Sequence, residues 1–572
     1  MLRKFFPLIN PYFLSVLIIT LWIFKTYNGN YHSEYLVYTI YFFENYNFSA
    51  DPYIKDVNIP GLIFIYKILR FLQINPNNDL IFFPFHIFLH LISTFIYLRI
   101  IREFVIKDSE KSLVILLSLI LIGGIIATTQ SSILSQTVPG SMTYFAHFFF
   151  PIFLYSLLRK KIFYLIVSSS LMLYLHPRVG WMPVLIGTIY SFLFWENNKL
   201  KIWFFFPFVI SIFYYLNYGS YLSYDDKIAL IKDYFFFRED IEVTFTLYDK
   251  KTIIFQILSF FLYYFFLKKI KNIEFKKLSF VVLILSLSIF IFEWVYTTFF
   301  VEIFPIPQIY ALSPTRSFYV YELFFFVLLF NFIFNLPIKI YQQVLIIGFL
   351  FFAKISLQGL LYSIAATLSI SAIIFFIKNK YLIDKNIVLI FFLIIVPGSL
   401  YIASKKIINF DYYGFKKINR WTMNSRFPTD STLNFSKFEN KKLLDFLVDL
   451  RKCKDFILFD PIRFSRVNNI AYKSRLKSEV NKSLFGKEYS IDKIRYYKKM
   501  HELEKRIIIN FKESEYLSDK DLKLLEELKA VVLISKDKEG LIKKKYVKYV
   551  IDSNNFLIFF GKNSNLEKYC KI

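Results

Sequence analysis

One histidine and several carboxylates crowd into NYHSEYLVYTIYFFENYNFSADPYIKD, a segment that starts at Asn30, just after the first long apolar run. His32, Glu34, Glu44, Asp51 and Asp56 are its groups able to move protons or bind polar ligands. A carboxylate partly shielded by protein keeps enough basicity to take a proton from a sugar hydroxyl. Glu34 is the first candidate for that role, because it follows closely on the first helix and would face the mouth of a helical bundle. A second reading stands beside it: HSEYLVYTIYFFENY is an interfacial amphipathic helix, and Glu34 merely solvates it. His32 has no second histidine or close carboxylate pair beside it to complete a metal site.

Further along, LHPRVGW sets His176 and Arg178 at a helix boundary where Pro177 breaks the run, and ALSPTRS sets Arg316 at the end of another run. An outward arginine at membrane depth can clamp a lipid-linked phosphate with its two-pronged donor fork, or it can snorkel to the interface. Asp225 and Asp226 in YDDK are either ligands for a divalent ion shared with Glu34 or loop solvation; adjacent carboxylates point apart unless the backbone bends. Lys354 lies inside an apolar run and marks a break, a substrate path or a misplaced boundary.

The elements that must position these groups are apolar. Of the 572 residues 56% are hydrophobic, mean hydropathy is +0.45, and runs long enough to cross about 30 Å of hydrocarbon recur between short charged stretches. The expected fold class is a polytopic α-helical membrane protein. The first run, 6–24, follows Arg3 and Lys4 and lacks a small-residue cleavage site, which predicts a retained helix with its N-terminus inside. IPGLIFIYKILRFLQI is short and carries Lys67 and Arg70, so it is predicted to lie along the outer membrane surface. Further spans are predicted at 79–98, 112–129, 142–158, 162–177, 179–195, 202–217, 252–267, 278–298, 318–335, 342–357, 358–377 and 386–403. That makes about 13 transmembrane helices. Basic clusters around Arg99 and Arg102, Arg159 to Lys161, Lys199 and Lys201, Lys268 to Lys277, and Lys378 to Lys385 all fall on the inner side. Every polar segment quoted above then falls on the outer side, in a module 1–404 with its first outer loop at 26–78.

Residues 405–572 read as a small mixed α/β domain on the outer side. LLDFLVDLRK and IDKIRYYKKMHELEKRI suit helices, DFILFD and AVVLISK suit strands, and YVKYVIDSNNFLIFFG has the pattern of a hairpin. This tail holds about 38 basic and about 22 acidic side chains, more than half of the net +27. Such a charge beside a membrane meets anionic head groups or lipid-linked phosphates; no recognition motif speaks for nucleic acid. Cys453 and Cys570 make neither a disulfide framework nor a metal site, although one bridge remains open to an exported tail. Walker, nucleophile-elbow and dinucleotide fingerprints are absent. The 72 Phe and 42 Tyr accompany abundant Ile, Asn and Lys, the usage of an AT-rich genome, so aromatic clusters alone carry no functional weight.

In layout, and in the segment SEYLVY with Glu34, Tyr35 and Tyr38, residues 1–404 resemble the GT-C superfamily of membrane glycosyltransferases. NFSADPYIKD followed by IPGLIF is similar to that family's D-P-Y and proline-led helix segments. The chain departs from the pattern at Ser33, which stands where the family often has the Asp of an Asp-Glu pair. The resemblance implies transfer of a sugar from a polyprenyl-phosphate-linked donor to an extracytoplasmic acceptor, in the bacterial inner (cytoplasmic) membrane. Glu34 would be the base. Arg178 or Arg316 would oppose the phosphate's charge, and His32, Asp51 and His176 would line the site. A divalent metal cofactor is left open, as is the oligomeric state; the expected partners are the lipid-linked donor and membrane lipids. Rival readings are a flippase for a lipid-linked glycan, an O-antigen ligase or polymerase, and a membrane-anchored scaffold without catalysis.

Overall fold

The computed structural model describes residues 41–43, 60–76, 79–108, 111–113, 115–116, 119, 142–216, 222–236, 250–336, 457–459, 477–478, 518–527, 530–535, 547–550 and 555–559. Most of them are helical. The helices, in chain order, are α1 (Pro60–Phe71), α2 (Asp79–Ile100, continued by a π turn at Ile101–Val105), α3 (Met142–Leu158), α4 (Ile162–Leu175) and α5 (Pro177–Phe194). A 3-10 turn at Asn198–Phe204 leads into α6 (Phe205–Leu216), and α7 (Tyr224–Ala229) runs into a π turn at Leu230–Phe236. Then come α8 (Lys250–Leu267), α9 (Ile273–Val295, continued by a π turn at Tyr296–Phe300), α10 (Pro307–Ala311), α11 (Pro314–Ser317) and α12 (Tyr319–Phe334). The surface helix expected at IPGLIFIYKILRFLQI and the helices expected at 79–98, 142–158, 162–177, 179–195, 202–217, 252–267, 278–298 and 318–335 each have a counterpart here. The runs at 6–24, 342–357, 358–377 and 386–403, and most of 112–129, lie outside the described residues.

Among the described residues two helices, Pro84–Val105 and Ile273–Phe300, are long and apolar enough to cross a bilayer, and five shorter apolar helices accompany them. Their outer surfaces are greasy. Phe95, Phe163, Leu193 and Phe261 are each more than 60% exposed, and exposed apolar side chains in such number are consistent with association with a membrane. In the interior the polarity is reversed only locally. Every residue of α12 except Glu322 is buried, so α12 is the central post.

The chain forms two compact units, one within Phe83–Ile228 and Glu239–Ser425, the other within Asn28–Phe82, Ala229–Arg238 and Arg426–Ile572. In the first, hydrogen bonds fix which helix ends lie together. Arg99 at the end of α2 and Arg159 after α3 both bind the Glu103 carboxylate, Arg99 Nε at 2.8 Å and Arg159 Nε at 2.9 Å. Tyr190 near the end of α5 donates to Glu274 in the first turn of α9 at 2.5 Å. Lys111 Nζ donates to Phe334 O at the end of α12, 3.4 Å. Three short links, at 159–161, at His176 and at 195–197, make α3, α4 and α5 alternate in direction. The N-terminus of α5, the C-terminus of α9 and the N-terminus of α12 therefore meet at the far end from the Arg159 cluster.

The second unit contains a five-stranded sheet in the order β2-β1-β3-β5-β4, from β1 (Ile457–Phe459), β2 (Lys477–Ser478), β3 (Ala530–Ser535), β4 (Val547–Val550) and β5 (Asn555–Phe559). β1 runs parallel to β2 and β3, in register Ile457↔Ala530. β5 is antiparallel to β3 and β4, in register Val531↔Phe559 and Val547↔Phe559. A helix α13 (Asp519–Glu527), capped by Ser518 and burying Leu522 and Leu525, precedes β3. Ile457–Phe459 of DFILFD and Ala530–Ser535 of AVVLISK thus form β1 and β3, and β4–β5 is the hairpin expected at YVKYVIDSNNFLIFFG.

Candidate functional site

Pro177 has no N–H to give and biases the residue before it toward extended backbone. His176 accordingly sits at φ −153°, ψ 91°, a one-residue link between α4 and α5, with Pro177 opening α5. Gly180 completes the turn-back. A Cβ there would stand 2.7 Å from Leu173 N and 2.8 Å from Met172 C, so only hydrogen lets the start of α5 lie on the end of α4. Arg178 and Trp181 leave this first turn of α5 half-buried.

They meet the stretch between α9 and α12. Arg178 Nε donates to Ala311 O at 2.9 Å, and Trp181 Nε1 donates to Leu312 O at 3.0 Å. Tyr319, the first residue of α12, donates back to Val179 O at 2.9 Å. Leu312 and Ser313 separate two proline-opened turns, α10 and α11, and Ser313 is left-handed at φ 46°, a costly conformation for a residue with a side chain. α11, which carries Arg316 in its backbone, packs on α5. LHPRVGW and ALSPTRS, 130 residues apart in the chain, thus share one ledge at the α5 end of the unit.

Below the ledge lies a carboxylate that pattern reading passed over. Glu293 is 0% exposed. Its Oε1 accepts from Thr297 Oγ1 at 2.8 Å, and Thr297 Oγ1 is 2.9 Å from Tyr310 Oη. Tyr296 takes the Ile306 N–H at 2.7 Å and donates to Phe304 O at 2.6 Å. Burial pushes the Tyr310 phenol well above its ordinary value; the Thr297 hydrogen bond opposes the rise and the nearby Glu293 carboxylate adds to it. The phenol therefore remains a donor at any working pH. The signal present in the sequence was a lone Glu in FIFEWVYTTFF, since an ionisable group inside an apolar run is costly enough to need a reason. His147 was missed in the same way: it is buried in α3, its ring 4.6 Å from that of Tyr319, with no hydrogen-bond partner for either nitrogen.

The structure brings together His176, Arg178 and the Arg316 backbone. Glu34, His32 and Asp51 lie outside the described residues, as does Lys354. Ser223 caps α7: its hydroxyl donates to Asp226 Oδ2 at 2.8 Å and accepts the Asp226 N–H at 3.2 Å, while Asp225 is exposed, so both aspartates serve the start of a helix and its loop. Among the described residues no group of three or more His, Cys, Asp or Glu could hold a metal ion. What the ledge can do chemically is hold a guanidinium fixed at one end of a helical bundle, where its fork of donors can pair with an anion. No family model, curated protein or solved structure matches the chain.

Proposed function

We propose that the chain is a membrane glycosyltransferase of the GT-C kind, which moves a sugar from a polyprenyl-phosphate-linked donor to an acceptor on the outer side of the bacterial inner membrane. The observation that carries this reading is the ledge: two arginine-bearing segments, far apart in sequence, are joined through Arg178 Nε–Ala311 O and Trp181 Nε1–Leu312 O. A phosphate is a good leaving group that needs a cation against its growing charge rather than an acid, and a guanidinium already fixed in place supplies it without reorganising. The acceptor hydroxyl needs a base on the opposite face of the sugar, the role kept for Glu34, and inversion at the anomeric carbon follows.

About 13 spans, an inside N-terminus and an outward α/β tail belong to this proposal. The greasy exterior of the helices supports it. The test is turnover of a radiolabelled polyprenyl-phosphate sugar in membranes containing the full chain. Glu34→Gln and Arg178→Ala should each abolish transfer while the protein is still made; full turnover in both would end the proposal.

One observation favours a second reading. His86 and His90 are buried on α2, outside the ledge segments, and polar groups beyond a single outer site are what a flippase for the same lipid-linked sugar requires. Vesicles without acceptor separate the two, because a flippase moves the labelled lipid between leaflets and a transferase leaves it in place.

A further inference from the structure

We propose that Glu293, acting through Thr297 and Tyr310, is the positioning residue that sets the Arg178 guanidinium for the phosphate of a lipid. The proposal rests on the reading of Arg178 as the phosphate's counter-charge and concerns how its geometry is maintained.

A threonine hydroxyl has a single proton. Thr297 spends it on Glu293 Oε1 at 2.8 Å, so in the 2.9 Å contact between Thr297 Oγ1 and Tyr310 Oη the phenol must be the donor. The chain Tyr310→Thr297→Glu293 therefore has one polarity and ends on an acceptor. Glu293 is buried at 0% exposure, and in such a low-dielectric site a hydrogen bond is electrostatically stronger than in water. Tyr310 immediately precedes Ala311, whose carbonyl receives Arg178 Nε at 2.9 Å. The same end of α9 makes a second brace, through Tyr296 to Phe304 O and Ile306 N. Two braces on the 304–312 stretch fix the carbonyl that orients the guanidinium. The π turn at Tyr296–Phe300 lies at the root of both, and such turns recur where a helix must aim side chains away from its regular spacing.

The experiment uses the full chain in lipid nanodiscs and compares binding of farnesyl phosphate with that of farnesol, so that the phosphate-dependent part is read by difference. Arg178→Ala should cancel the preference for the phosphate. Tyr310→Phe and Thr297→Val should each weaken farnesyl phosphate binding about three- to tenfold, the effect of one lost hydrogen bond, and leave farnesol binding unchanged. Thr297→Ser, which keeps the hydroxyl, should return to within about twofold of the parent. Wild-type binding by Tyr310→Phe and Thr297→Val, with binding lost in Arg178→Ala, would overturn the brace and leave the site reading intact. An Arg178→Ala protein that keeps its phosphate preference would overturn the reading itself. Equal losses for both ligands with a lowered melting temperature would reduce the chain to ordinary packing and overturn the inference. Inorganic phosphate displacing farnesyl phosphate at similar concentration would reassign the site to a soluble anion and overturn the lipid part. Should Thr297→Val fail to fold, Tyr310→Phe, which removes one atom, decides.

Discussion

Gly180→Ala tests whether the α4–α5 link sets the ledge. The new Cβ would stand 2.7 Å from Leu173 N, 2.8 Å from Met172 C and 2.9 Å from Leu173 Cα, all backbone atoms of a helix that cannot swing aside. Ordinary contact needs at least about 3.4 Å, so α5 must move away from α4 by about 0.7 Å. Arg178 and Trp181 sit in the same turn and travel with it. Their bonds of 2.9 and 3.0 Å would lengthen to about 3.6 and about 3.7 Å, past the hydrogen-bond range. Overpacking costs about 1–3 kcal/mol and two loosened hydrogen bonds about 1 kcal/mol each, which gives roughly 3–5 kcal/mol and a melting-temperature loss on the order of 10 °C. Gly187→Ala is the control, because its Cβ would meet the ends of side chains, Phe153 Cζ at 2.7 Å and Trp203 Cη2 at 3.3 Å. That crowding falls on ring tips rather than on the α4 backbone, so it costs about 1–3 kcal/mol and leaves the α4–α5 junction in place. Thermal melts followed by tryptophan fluorescence in detergent provide the comparison. If Gly180→Ala melts with the parent, or Gly187→Ala loses more, the one-residue junction is not what holds Arg178 against Ala311.

His147→Phe should raise the melting temperature, since it removes two buried ring nitrogens without partners at little change of volume; a fall would mean that the imidazole binds something. Asn272→Ala should destabilise α9 by about 1 kcal/mol, because the Asn272 side chain accepts from Phe275 N at 2.9 Å as the N-terminal cap; an unchanged melt would deny it that role. With Cys453 and Cys570 replaced by serine, a membrane-impermeant maleimide added to intact cells should label Asp225→Cys and leave Lys160→Cys unlabelled, as both positions are exposed but lie on opposite sides under the positive-inside rule. The reverse pattern would invert the topology.

Local order is legible in the residues themselves. Hydrophobic run length located α2 to α6, α8, α9 and α12, because an apolar chain has few ways to satisfy its backbone other than a helix. Pro177 announced the break at His176, because a missing N–H and a restricted preceding residue are properties of the dipeptide alone. Alternation and turn residues likewise marked β3 and the β4–β5 hairpin. What tertiary structure decided was which ends meet. That Arg178 finds Ala311 and Trp181 finds Leu312 depends on the alternation of α3, α4 and α5 and on a left-handed Ser313, neither of which leaves a mark at fixed spacing. Glu293 shows the difference most plainly. In the sequence it is one carboxylate in an apolar run. Folded, it is a buried member of a hydrogen-bond chain with Thr297 and Tyr310, because a side chain's environment is set by neighbours distant in the sequence.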